Sequence, residues 1–578
     1  MSEVRVPLEG VRRLRRPPAD LLLATTLALL VTAPLLLGRG FWLVGDMVFV
    51  PAQPWKPAWL GLDGALPRAV PMDALMSVLT TVVPGDLVQK AVVLGGLVLG
   101  GLGVGRLVAR TVPGQTWYAR AAAITLFCWN PWVYERLLIG QWAILLGYLL
   151  LPWVALAALR LRRDPRDWAP AALTLTCSAV CSPSSGLMAA GVLAVLALGR
   201  EWGAWWRAAL LVVVANLTWA VPAVTADAAR VSTDGVFAGF AARAESSAGA
   251  FASVLSLGGI WKSSIVPAER TDAVLVVLSC LLSIAALLGW WRAGRGRSRW
   301  LALGAVALLL ALVPVPAAGA ALLEAAGERV PGLALLRDSH RFLAPLGLVL
   351  AVGSAHAVVA LRSRVTPATR SLWGAVVLLV VAPLLLLPSL AWGAFGELQR
   401  STYPAEWDTV AGLVGDEDLT VVLPWRGLYR GYDFNHRRAV LDPAPRYLPG
   451  QVLIDDRLLL EDREVPAEDP RVRAVDGALA AAEPAQALRA LGVRWVLLEK
   501  GMVSARVPQG SVVHDGPLLR LVDLAEGGEV ASGPTAARPD VGAGQILLVG
   551  LANFLAILLL LSAIPVILHT RSNGCHTT

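Results

Sequence analysis

Twelve stretches of this chain are apolar for close to the length that a bilayer demands, and that restricts its fold more than any motif does. A helix needs about 20 such residues to cross the hydrocarbon core. The runs lie near 19–38, 87–109, 116–133, 139–160, 169–183, 184–200, 206–225, 271–291, 299–317, 341–361, 371–394 and 544–568. Residues that are 56% hydrophobic and only 16% charged, with a mean hydropathy of +0.62, exceed what soluble domains reach. The expectation is an α-helical polytopic membrane protein of about twelve spans. CSPSSG at 181–186 interrupts one apolar stretch and reads as a tight hairpin or a re-entrant segment.

A net charge of +8 would suggest nucleic acid as the partner of a soluble protein. Here the basic residues sit in short loops between apolar runs, the pattern of the positive-inside rule, and nucleic-acid binding is excluded. Arg5, Arg12, Arg13, Arg15 and Arg16 precede the first run, with no small-residue cleavage site after it, so the first span is expected to stay uncleaved. Placing that end in the cytoplasm puts GRLVARTVPGQTWYAR, LRLRRDPRDW, GREWGAWWR, WRAGRGRSRW, LRSRVTPATR and the C-terminal tail there too. The protein is accordingly expected in the cytoplasmic (inner) membrane, with both termini inside.

The opposite face then holds the loop 39–86, the turn NPWVYERLLIGQW, the loops 226–270 and 318–340, and the block 395–541. The organisation expected is a transmembrane domain over 1–394, an extracytoplasmic α/β domain over 395–541, and a last helix with a short tail over 542–578. In the α/β block, LTVVLPW reads as a strand, Ala482–Gly492 as a helix stopped by glycine, Val493–Leu498 as a second strand, and SVVHDGPLLRLVDL as a hairpin turning at Asp515–Gly516. The long first loop carries Asp46, Asp63, Asp73, Asp86, Trp42, Trp55 and Trp59, and is expected to lie on the membrane surface, with Met72–Val83 as a flat helix.

Four clusters bear chemistry. Asp46, beside apolar neighbours in WLVGDMVF, reads either as a base for a hydroxyl acceptor or as a turn aspartate after Gly45. In CWNPWVYERLLIGQW, Glu135 and Arg136 at a bilayer edge are costly unless paired or used, while Trp132 and Tyr134 suit either a sugar face or an interfacial anchor. RDSHRF supplies Arg337, Asp338, His340 and Arg341 where the positive-inside rule disfavours arginine, and guanidinium groups there suit a lipid-linked phosphate, ordinary headgroups, or a salt bridge to Asp338 or Asp46. Arg426, Tyr429, Arg430, Asp433, Asn435 and His436 line either a carbohydrate or phosphate surface or a solvated loop.

The five cysteines have no metal-ligand spacing and read as packing residues. No Walker A, HExxH, GxSxG or Rossmann pattern is present, and the glycine-rich stretch 95–105 lies inside a span, where small residues serve helix packing.

A long first outer loop bearing an acid, NPWVYERLLIGQW after the third span, RDSHRF before a late span, and LGVRWVLLE in an outer α/β domain together resemble the bacterial membrane proteins of the GT-C glycosyltransferase fold. YfhO-like and actinobacterial arabinofuranosyltransferase-like proteins are the groups it looks most like. The resemblance implies an enzyme that takes a sugar from a polyprenyl-phosphate donor to a cell-envelope glycan, lipid or protein. It implies Asp46 as base or ligand of a divalent cation and Glu135 as second acid. Arg136, Arg337, His340 and Arg341 would lie at the donor phosphate, with Trp132, Tyr134, Arg426, Tyr429, Asp433 and His436 at the acceptor. Asp46 departs from the paired acids of many such proteins, which leaves the cation open. Two other readings fit the layout: a flippase of lipid-linked sugars, and a non-catalytic envelope-assembly protein.

Overall fold

The computed structural model describes residues 18–573 except 66–68, 198, 200–201, 227–234, 294–295, 331, 367–369, 371, 460–463, 468, 503–505 and 538–539. The basic N-terminal stretch, Arg68 and Cys575 fall outside the described residues.

Every apolar run carries a helix. In chain order, with the short helices between them, they are α1 (Pro18–Leu36), α2 (Met72–Thr80), α3 (Gly85–Thr111), α4 (Trp117–Cys128), α5 (Pro131–Leu138), α6 (Trp142–Arg163), α7 (Ala169–Cys181) and α8 (Pro183–Ala197). There follow α9 (Trp202–Thr225), α10 (Val236–Gly239), α11 (Ala250–Leu255), α12 (Ala273–Gly289), α13 (Arg297–Leu312), α14 (Ala317–Arg329), α15 (Ala344–Arg362) and α16 (Leu372–Leu386), and the last helix is Ala543–Asn573. The chain is a multi-pass membrane protein. Among the described residues, six helices are long and apolar enough to cross a bilayer, or eight if two bent pairs each count as one span. α4, α7, α8 and α12 are apolar but short of a bilayer's width.

The bends have proline at their origin. Pro314 and Pro316 end α13, and the chain turns by 92° into α14, where the sequence suggested only loop. Pro388 ends α16 at a 64° break. At CSPSSG, the Ser182 hydroxyl accepts from the Ser185 N–H at 3.0 Å, capping α8 at its Pro183 start. Gly186 then comes so close that a Cβ there would lie 3.2 Å from Ala179 Cα, so α7 and α8 fold back as a hairpin.

α15 is the hub, buried from Ala344 to Val358 and packed by α4, α12, α13 and α16. The glycines of α3 serve packing: a Cβ on Gly100 would sit 2.6 Å from Leu149 of α6, and one on Gly101 2.8 Å from Ala24 of α1. His356, an ionisable residue within α15, packs on Trp290 at 4.9 Å. Cys128, Cys181 and Cys280 are buried free thiols.

The polar block is an α/β unit. Its strands and those of the loops are β1 (Phe41–Trp42), β2 (Arg400–Ser401), β3 (Leu419–Leu423), β4 (Tyr429–Gly431), β5 (Ala439–Leu441), β6 (Gln451–Leu453), β7 (Leu458–Leu459), β8 (Glu464–Val465), β9 (Trp495–Glu499), β10 (Ser511–Asp515) and β11 (Leu519–Asp523). The main sheet runs β10-β11-β9-β3-β6, with β3 parallel to both β6 and β9. From β3 the chain goes to β6 on one side and then to β9 on the other. That reversal opens a crevice at the carboxyl ends of the parallel strands, where such sheets receive ligands.

The first loop does not lie flat on a membrane surface over its length; it is stitched to this unit. β1 pairs with β2, Gly45 bridges Val440, Arg446 pairs with Asp73 at 3.0 Å, and Arg471 with Asp63 at 3.1 Å. A peptide chain with four carboxylates and many unpaired backbone groups finds its partners more completely in protein than in headgroups. α2 does form within the expected segment. Met72, Met76 and Ser77 face inward, whereas Leu75, Val78 and Leu79 stay exposed.

Candidate functional site

Asp46 is held by backbone before its side chain does anything. Gly45 and Gly140 both take positive φ, 51° and 81°, and a Cβ on Gly140 would stand 2.1 Å from Val44 O. Only glycines permit that approach. Asp46 N–H donates to Ile139 O at 3.0 Å, Gly45 N–H to Ala439 O at 2.9 Å, and Leu441 N–H to Gly45 O at 2.8 Å. The aspartate is thereby fixed between the α5–α6 turn and β5. Its half-buried carboxylate accepts a hydrogen bond from the Tyr429 hydroxyl at 2.7 Å.

Tyr429 borders a cavity of about 210 Å³ whose wall includes Arg426, Asp455, Arg457 and Glu464. Arg426 and Asp455 follow the carboxyl ends of β3 and β6, so this cavity is one half of the crevice that the strand order opens. Arg457 is held by Asp455 at 2.6 Å and Asp476 at 2.9 Å. From the other side the Lys262 ammonium stands 5.9 Å from the Tyr429 ring centre. Next to Lys262, Trp261 meets Phe240 edge-on at 4.8 Å, and the Arg337 guanidinium lies 5.8 Å over Phe240. A run of contacts thus connects Asp46, Tyr429, Lys262, Trp261, Phe240 and Arg337.

Behind this face lies a second, closed cluster. Glu135, Arg136 and His340 are fully buried and Asp338 is 1% exposed. Arg136 donates to Gln141 Oε1 and to His340 Nδ1, and its Nη1 lies 3.6 Å from Asp338 Oδ2. Because guanidinium only donates, His340 Nδ1 must accept, which leaves the ring neutral with its proton on Nε2, 3.0 Å from Gly258 O. Arg341 pairs with Asp338 at 2.7 Å and is 24% exposed at its side chain. Burial would raise the Asp338 pKa, but Arg341 and Arg136 hold it below the usual carboxylate range. Glu135 goes the other way: burial and the neighbouring Glu245 push it well above its ordinary value, opposed by Arg136. Glu245 in turn is gripped by Arg270 through Nε at 2.9 Å.

These positions correct several expectations. Trp132, 1% exposed, packs against Tyr148 at 4.8 Å and under the Arg136 guanidinium at 5.2 Å, and Tyr134 is buried as well. Neither has a face for a sugar, because neighbouring helices cover the rings that sequence alone would leave at an interface. The terminal nitrogens of Arg136 and both ring nitrogens of His340 meet protein partners, and neither side chain is exposed. Asp433 and His436 sit apart from Asp46: Asp433 is exposed and pairs with Arg437, and the His436 ring approaches Arg400 O at 3.1 Å. Among the described residues no three His, Cys, Asp or Glu gather as cation ligands. Lys262, Arg457, Glu245 and Arg270 were not legible beforehand, since nothing in their local spacing marks them.

The sequence matches no family model, and no curated protein matches it. Among solved structures, the cryo-EM structure of arabinofuranosyltransferase AftD from mycobacteria aligns with a TM-score of 0.56 at 17% identity. The fold resembles that of AftD. The alignment covers 87% of this chain and 40% of that one, so the chain spans well under half of AftD's length. A mutant form of AftD aligns with a TM-score of 0.51 at 16% identity, over 87% of this chain and 41% of that one. At such identity the likeness speaks for the fold. It does not single out YfhO-like proteins.

Proposed function

We propose that the protein is a membrane glycosyltransferase of the cell envelope, moving a sugar from a polyprenyl-phosphate donor to an acceptor hydroxyl with inversion. The observation that carries this reading is Asp46, fixed by backbone and hydrogen-bonded by Tyr429, which borders a cavity, in a chain whose fold resembles that of an arabinofuranosyltransferase. Asp46 takes the proton of the acceptor hydroxyl as its oxygen bonds to the anomeric carbon. The donor phosphate departs with the electron pair of the broken C–O bond. Tyr429 holds the carboxylate in place, and Arg337 and Arg341 face the phosphate, where fixed positive charge lowers the barrier. Glu135, Arg136 and His340 act as positioning residues that fix the α5–α6 turn on which Asp46 rests.

The charge alternation of the loops supports an extracytoplasmic face for this site. The first loop, the α5–α6 turn, the 235–270 loop and the α/β unit touch one another, as residues sharing one side must.

The test is transfer by the full chain in nanodiscs from synthetic polyprenyl-phosphate sugars, the arabinofuranose form first. Asp46→Asn is expected to lose about 10²–10⁴ in turnover with an unchanged melting temperature. Arg337→Gln is expected to raise KM for the donor. Wild-type protein that transfers nothing from any such donor, or an Asp46→Asn variant with full turnover, refutes the reading in favour of a non-catalytic assembly protein.

A further inference from the structure

α3 and α6 both start beside the Asp46 loop, where Gly85 N–H donates to Pro51 O at 2.9 Å and Asp46 N–H to Ile139 O at 3.0 Å. They then run side by side in the same direction. A Cβ on Gly96 would lie 3.1 Å from Leu146 and one on Gly103 2.5 Å from Trp153, whose indole N–H donates to Leu99 O at 3.0 Å. Seven residues beyond Gly103 stands Arg110, and seven beyond Trp153 stands Arg160, with Arg163 one turn further on. Both helices rise about 1.5 Å per residue, so packing in step brings these three guanidinium groups together at the end of the bundle away from Asp46.

The cluster is short of acid. Arg110 meets the repulsion of Arg160 and Arg163, and Asp167 is the carboxylate that faces it. Asp20, on the other side of α3, is taken by Arg120 at 2.8 Å. The α6–α7 loop adds Asp164 but also the exposed Arg162 and Arg166, so positive charge stays in excess. Arg110 and Arg163 are exposed and Arg160 is half-buried.

Depth decides what anion this suits. The 22 residues of α6 span about 33 Å, against about 30 Å of hydrocarbon in a bilayer. A membrane that meets Trp142 at one surface therefore brings its phosphates to Arg160 and Arg163 at the other. Arg106, one turn nearer the bilayer centre than Arg110, lies over the Trp153 ring at 4.8 Å. At the same end Arg207 lies over Trp206 at 4.6 Å and Arg362 over Trp373 at 5.4 Å, cations on aromatic rings as at a membrane boundary. Exposed arginines give a small soluble anion no enclosure, whereas a lipid is held at this depth by its own chains.

We propose that Arg110, Arg160 and Arg163 hold the headgroup of an anionic phospholipid in the leaflet opposite Asp46. Guanidinium groups take phosphate oxygens in pairs, and the ammonium of a zwitterionic lipid is repelled by the same charge. The site stands whether or not Asp46 acts as a base.

The experiment uses full-length protein in neutral detergent micelles, titrated with phosphatidylglycerol or with phosphatidylcholine of the same chains. Native mass spectrometry reads the lipid-bound mass. Wild type is expected to take phosphatidylglycerol about tenfold or more tightly than phosphatidylcholine, and equimolar inorganic phosphate leaves that lipid bound. At roughly fivefold per arginine beside an anionic headgroup, Arg163→Gln weakens phosphatidylglycerol about fivefold, and Arg110→Gln, Arg160→Gln and Arg163→Gln together about 100-fold. The same charge removed elsewhere at that end, in Arg207→Gln, Arg297→Gln and Arg364→Gln together, leaves binding in place. Wild type without a preference for phosphatidylglycerol, displacement by inorganic phosphate, or an equal loss in the two triple variants overturns the proposal.

Discussion

Raising the pH above neutrality should tighten the first loop onto the α/β unit, and Lys56 is the reason. Its side chain is enclosed, with Lys56 4% exposed, Nζ donating to Pro445 O at 2.7 Å and standing 5.5 Å from the Trp59 ring centre. Burial lowers its pKa from 10.5 to about 7, Arg446 adding to the effect and Asp73 opposing it. An undocked Lys56 regains the free value. At ~1.36 kcal/mol per unit, the gap between 10.5 and about 7 corresponds to about 5 kcal/mol of pH-dependent docking free energy at most. The undocked loop binds the extra proton, so docking is weakest below pH 7, strengthens through the window from about 7 to 10.5, and is flat above it. Within that window one proton is linked, which is about tenfold per pH unit in the opening equilibrium. Hydrogen exchange reads this directly at the amides of Trp59, Gly61 and Leu62, which bond to Lys56 O, Ala58 O and Pro57 O. After correction for intrinsic exchange, protection should rise about 50-fold from pH 7 to pH 9, and Lys56→Met should flatten the profile. A flat wild-type profile, or the same slope in Lys56→Met, would refute the reasoning.

Three further outcomes follow from buried charge. Glu135→Gln should cost less than about 1 kcal/mol in thermal unfolding and keep transfer activity, since burial and Glu245 already favour the uncharged carboxyl; loss of turnover with an intact fold would make Glu135 a catalytic acid after all. Arg270→Met should destabilise by about 3–5 kcal/mol, because Glu245 is left buried without its partner. In the α/β unit, burial and Asp442 push Glu499 well above the ordinary carboxylate value. Its contribution to stability is therefore whole at pH below the unfolded carboxylate range and drains away as pH rises through the raised pKa, the slope vanishing in Glu499→Gln. Calorimetry against pH checks that sign, which is opposite to that expected for Lys56.

Hydropathy is a property of consecutive residues, and that is why a helix stands at each apolar run and a strand at LTVVLPW and WVLLE. Pro183, Pro316 and Pro388 mark breaks for the same reason, because a missing N–H acts on its own turn of helix. Gly492 past the helix Pro484–Ala490 and the hairpin at Asp515–Gly516 were legible in the same local way. Where the sequence placed a side chain in depth it did less well. Trp132 and Tyr134 read as interfacial aromatics, yet both are interior, because α5 is covered by elements distant in sequence.

The chemistry of the site has no local signature at all. Asp46 and Tyr429 meet across 383 residues, and His340 meets Arg136 across 204. Composition and periodicity determined that this chain spans a membrane many times and carries a separate α/β unit. Which acids and guanidinium groups face a cleft and which are sealed against one another was decided only by tertiary structure. The reason is physical: hydrophobic burial is summed along the chain, whereas a hydrogen bond or an ion pair needs two groups that only folding brings within a few ångströms.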